Sequence, residues 1–250
     1  GRGGGGRRRG RRAVIGWARR SESAAVVLAA AVGVTLFALA AAPPGAATLA
    51  RLLAGGEPAP FADYAVRFAA ALVLLGLAPA AVLRLGGGRL HEIGMRRAKR
   101  IHPAAVLLAC AAAALVGFLS RRNPQLAAFY PFGRPEILEL ARSPLGVAAH
   151  ALAYLCCYYL PWEFTFRGAL LFPLVPRRGA GASGVLLAAT PQALASTLLH
   201  IGHPPMELAA AFPFGLALGL LAVRTGSILP GLFIHAAAGI ALDLSILLAR

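Results

Sequence analysis

The 250 residues are 58% hydrophobic and only 14% charged, where a soluble domain carries about 25% charged residues, so the composition argues against a water-soluble globular chain. The net charge of +16 raises the question of nucleic acid, but the basic residues follow a membrane pattern. Of 25 Lys and Arg, eight fall between Arg2 and Arg20 and six between Arg84 and Arg100, flanking apolar runs as cytoplasmic segments do; no nucleic-acid partner is expected.

In chain order, the Gly/Arg-rich stretch 1–20 cannot bury apolar surface and is predicted to be a disordered basic tail. Residues 21–250 read as one integral membrane domain. Apolar runs of roughly 18 or more residues mark spans. They fall at about Ala24–Ala42, closed by Pro43-Pro44, then Ala62–Leu83 and Pro103–Leu119. Between the last two lies the basic connection Arg84–His102. A polar segment, Ser120–Ser143, contains Pro-Glu-Ile-Leu-Glu-Leu, a candidate interfacial helix. The run Pro144–Val175 is long for one span and is interrupted by Pro161, which reads as one kinked helix or as a half-helix leading into a second. Arg177-Arg178 marks the basic side again. Further spans are expected at Ala182–His200, Met206–Val223 and Ile228–Leu248. The runs do not alternate as barrel strands would, and backbone groups in hydrocarbon must pair within the segment. The predicted fold is therefore all-α, a polytopic transmembrane bundle of seven or eight helices with its N-terminus cytoplasmic. Cys110, Cys156 and Cys157 sit in apolar runs and read as small hydrophobes.

An ionisable group inside a membrane costs about 2.5–3.5 kcal/mol on insertion scales, so each is a candidate functional residue. Glu163, Arg167, His200, His235 and Asp243 stand out. Glu163 and Arg167 are spaced i, i+4 and can pair on one helix face. His200 and His203 form a His-x-x-His string that lacks the Glu of a His-Glu-x-x-His helix, and His203 reads as an interfacial loop residue. A carboxylate and an imidazole can take a proton from water and return it to a leaving amine, while a second imidazole stabilises an oxyanion. Alternatively Glu163, His200 and His235 could hold a zinc ion whose fourth ligand is water. Both chemistries are open on the residues alone, so the cofactor is either absent or zinc.

Three segments carry a resemblance. Tyr159–Leu171 is similar to a Glu-Glu-x-x-x-Arg-Gly motif through Glu163, Arg167 and Gly168. Ser196–His200 is similar to Phe-x-x-x-His, and His235–Gly239 to His-x-x-x-Asn/Asp. In order and spacing, about 145–248 resembles the membrane-embedded CAAX-protease and bacteriocin-processing (Abi/CPBP) family. The resemblance implies an intramembrane endopeptidase in a bacterial inner membrane, acting on a membrane-bound peptide or protein substrate. It implies Glu163, His200 and His235 as catalytic residues, with Arg167 and Asp243 in support. Trp162 stands where the family has the first Glu, usually assigned the base, so the base role passes to Glu163. Gly239 replaces the residue that supports the oxyanion, with Asp243 the nearest substitute. These departures keep an alternative open: a catalytically inactive, protease-like membrane scaffold or immunity protein. A rhomboid-like serine protease built on Gly181-Ala182-Ser183-Gly184 and a transporter are the further readings.

Overall fold

A computed structural model describes residues 5–41, 45–56, 62–131, 134–176 and 181–249. Among them are ten helices and no strand: α1 (Gly5–Ala41), α2 (Gly45–Ala54), α3 (62–85), α4 (Pro103–Ser120), α5 (Pro124–Phe129), α6 (Arg134–Leu140), α7 (144–169), α8 (Ala182–Leu198), α9 (Pro205–Thr225) and α10 (Leu229–Leu247). Six of these contain stretches long and apolar enough to cross a membrane, namely α1, α3, α4, α7, α9 and α10. Helix α8, with 17 residues, lies at the lower limit of about 17 for a span and brings the count toward the lower of the two numbers expected. The protein is thus an integral membrane helical bundle. Helix α1 runs back to Gly5, so the backbone of 5–20 extends the first span where composition predicts a disordered tail. Arg and Ala are good helix formers, and extending a helix already nucleated by the span costs little. The expected markers Pro43-Pro44 and Arg177-Arg178 lie outside the described residues.

Several helix starts are written locally. Asn123 accepts hydrogen bonds from the backbone of Gln125 and Leu126 at 2.9 and 3.2 Å, and Ser143 accepts one from Gly146 at 3.0 Å. Each is followed by Pro at the first helical position. A side-chain acceptor followed by Pro fills the orphan donors and presets the backbone for the helix. The segment Pro-Glu-Ile-Leu-Glu-Leu does fall in a short helix, α6.

Helix α7 is the centre of the bundle. Residues 161–171 are buried without exception. Its Trp162, Phe164 and Phe166 pack with Val26 and Phe37 of α1 and Leu75 of α3. The chain passes through Pro161 as one helix of 26 residues, which settles the choice between one helix and two. Two π-helical segments, Tyr154–Tyr159 and Phe164–Ala169, flank the turn Leu160–Glu163. There the Leu160 N–H reaches back to the Leu155 carbonyl and the Leu170 N–H to that of Thr165. Such one-residue insertions are found mostly as single turns and often at functional sites. Helix α4 packs along α10, and α8 along α9, whereas α4 and α9 make little contact. The cysteines are all free; Cys156 is exposed, Cys110 is half-buried, and Cys157 is half-buried against the cluster that contains Phe68, Tyr154 and Leu232.

Candidate active site

In the buried turn of α7, Glu163 is completely enclosed and Arg167 is 2% exposed. The Glu163 Oε1 atom lies 3.3 Å from Arg167 Nη1 and 2.8 Å from His235 Nδ1 on α10. A carboxylate only accepts, so His235 donates from Nδ1, and Nε2 is the nitrogen left to accept a proton. Glu163 Oε2 has no hydrogen-bonding partner; a Cβ on Gly231 would come within 3.4 Å of it. The Glu163 carboxylate is thus paired with Arg167 on one side, accepts a hydrogen bond from His235 on the other, and is held behind the imidazole.

His235 lines a cavity of about 440 Å³ bounded by α4, α9 and α10. Tyr159, His200, Glu207 and Phe214 line the same cavity. His200 and His235 therefore share a chamber, with Glu163 reaching it through His235. His200 follows α8, and its Nδ1 lies 2.7 Å from the Ser196 carbonyl. The Trp162 ring stands edge-on to His200 at 5.6 Å, occupying the side from which a carboxylate at 162 would approach. The carboxylate that does approach His200 is Glu207 of α9, at 3.6 Å. Glu207 also lies 3.1 Å from His203 Nδ1 and accepts a 2.6 Å hydrogen bond from Tyr130. His203, expected as a loop bystander, belongs to this cluster.

Gly239 has an equally local explanation. A Cβ built there would lie 1.6 Å from the Tyr159 hydroxyl oxygen. Tyr159 fills the space of the Asn or Asp side chain that the motif calls for, and its ring sits edge-on to His235 at 4.9 Å. Asp243 is brought elsewhere. It is buried, with Oδ2 3.2 Å from His150 Nε2, whose Nδ1 lies 3.1 Å from the Tyr64 hydroxyl. Asp243 does not line the cavity, because it lies about 80° round α10 from His235 at helical pitch. Ser183 sits exposed in the first turn of α8, away from the cavity lining.

The donor set Glu163, His200 and His235 does not suit a metal: Arg167 lies 3.3 Å from the Glu163 carboxylate and already supplies the positive charge beside it. Among the described residues, the His and acidic ligand atoms that gather within 4.8 Å of one another are those of His200, His203 and Glu207. Sequence reasoning missed Glu207, Tyr159, His150, Tyr130 and Tyr64. Glu207 and His150 carried the same signal as the residues that were found, an ionisable group in an apolar run. For the tyrosines there was no such signal.

Residues 144–241 match the family model described as Rce1-like, type II CAAX prenyl endopeptidase. No curated protein and no solved structure matches the chain significantly.

Proposed function

We propose, from the premise that residues 144–241 are an Rce1-like segment of the type II CAAX prenyl endopeptidase family, that this chain is an intramembrane endopeptidase hydrolysing a peptide bond in a membrane-bound substrate. The observation that carries the reading is the buried Arg167–Glu163–His235 line ending in a cavity that also receives His200. The dyad gives His235 the tautomer and orientation of a base. Nε2 takes a proton from water as the water oxygen bonds to the carbonyl carbon. The same nitrogen returns the proton to the departing amine as the C–N bond breaks. Glu163 stabilises the imidazolium formed in between, and Arg167 pairs with Glu163, so both are positioning residues. His200 faces the reacting carbonyl from the other side of the chamber.

A second reading, a protease-like scaffold, draws on Trp162 packed against His200 and on Tyr159 filling the space at Gly239. The two separate in a cleavage assay in proteoliposomes carrying a membrane-anchored reporter peptide. Glu163→Gln, His235→Ala and His200→Ala are each expected to lower cleavage by about 10²–10⁴-fold, the range of a lost acid–base group, with folding retained. Cleavage at the wild-type rate by Glu163→Gln would remove the dyad. A wild-type chain that binds the reporter equally well with or without that substitution, and never cleaves it, is the scaffold.

A further inference from the structure

Three groups converge where α8 ends and α9 begins. His200 Nδ1 lies 2.7 Å from the Ser196 carbonyl; a carbonyl cannot donate, so Nδ1 carries the hydrogen and Nε2 carries a lone pair. That lone pair meets the Glu207 Oε1 atom at 3.6 Å. Two acceptors facing each other in a partly buried site repel unless a cation lies between them. His203 Nδ1 lies 3.1 Å from the same oxygen, a hydrogen bond when that nitrogen carries the proton and a ligand–ligand spacing when it does not. Ligands of a tetrahedral zinc ion, at about 2.0–2.2 Å from the metal, stand roughly 3.3–3.5 Å from one another, and the two observed separations bracket that value. The surroundings fit as well. Histidine ligands usually donate their second ring nitrogen to a carbonyl or carboxylate, and ligating carboxylates are themselves hydrogen-bonded. Ser196 and the Tyr130 hydroxyl, 2.6 Å from Glu207 Oε1, supply those partners. His200 and Glu207 both line the cavity that holds His235.

We propose that His200, His203 and Glu207 form a divalent-cation site of zinc type, with an open fourth position toward the cavity. Two imidazoles and one carboxylate are the donors of a catalytic zinc, which keeps one position for water or substrate and acts as a Lewis acid. The catalytic part of the proposal rests on the endopeptidase reading; the binding part does not.

The test uses the untagged full-length protein purified in detergent without chelator. Elemental analysis is expected to find about one zinc per chain, the stoichiometry of a single three-ligand site. Replacement by cobalt(II) is expected to give the visible absorption of a tetrahedral ion. His203→Ala and Glu207→Gln should lose both signals, while Glu163→Gln, which removes none of the three ligands, should keep them. Tyr130→Phe should weaken the metal by about 10–100-fold, the usual cost of a lost supporting partner. A wild-type protein that, after incubation with zinc and desalting, holds no more metal than His203→Ala overturns the site. Cleavage that survives both chelation and His203→Ala overturns the catalytic part of the proposal and leaves the endopeptidase reading standing. Cleavage abolished by Glu207→Gln in a protein without metal also overturns the site and makes Glu207 the direct base. Metal bound by wild type and lost in His203→Ala, without cleavage of any membrane-anchored reporter, supports the site and removes the endopeptidase reading.

Discussion

At the scale of single residues, the two departures from the motifs that Glu163 and His235 resemble have structural partners. The space that an Asn or Asp at 239 would enter is occupied by the Tyr159 hydroxyl, 1.6 Å from the Cβ position. Gly239→Asn alone is expected to be destabilising, by about 1–3 kcal/mol or more as for overpacked cores. Combined with Tyr159→Ala the cost should shrink, because the clash and its cause leave together. A double-mutant cycle on melting temperature in detergent reads this coupling; strictly additive effects would show that the two positions do not compete for one space. Glu163, Arg167, His200 and His235 were legible in the sequence because an ionisable group in an apolar run is rare enough to stand out. Glu207 was obscured by its place in the first turn of α9 beside Pro204-Pro205, where an acidic residue is ordinary helix-start chemistry. The Tyr159–Gly239 exchange could not be read at all. It joins residues 80 positions apart on two helices whose facing sides no single sequence specifies.

At the scale of elements, apolar length located the long helices to within a few residues, since it is a local property of the chain. The π-helical segments of α7 left no local mark, because they answer packing on α1, α3 and α10 rather than a propensity of Tyr154–Tyr159 or Phe164–Ala169. The contact of α4 with α10 is likewise tertiary. It turns on Gly117, the buried residue of α4, where an added Cβ would stand 1.9 Å from the Ala238 carbonyl oxygen. Backbone cannot yield as a side-chain tip can, and small residues allow this close approach in membranes. Gly117→Val is therefore expected to push α4 off α10 at a cost of about 1–3 kcal/mol. A lowered melting temperature with loss of cleavage would be the signature. An unchanged melting temperature would mean that α4 does not rest on that contact.

At the scale of the whole molecule, the basic connection is strapped to the turn between α9 and α10. Arg96 donates to the Gly226 carbonyl at 2.6 Å, Ser227 donates to the Arg96 carbonyl at 2.5 Å, and the Lys99 N–H donates to Thr225 at 2.9 Å. That end of the bundle is closed by polar bonds, while the slender contact between α4 and α9 leaves the chamber bounded on one flank by two helices that do not seal against each other. On the endopeptidase reading, a reactant arriving through that flank travels in the plane of the bilayer and meets the chamber by two-dimensional diffusion. Its effective concentration is then molecules per lipid, and bulk molarity drops out. Diluting proteoliposomes with buffer should leave turnover unchanged. Fusing them with empty lipid should slow it in proportion to the added area while the substrate stays below saturation. If buffer dilution alone slows turnover, substrate enters from water.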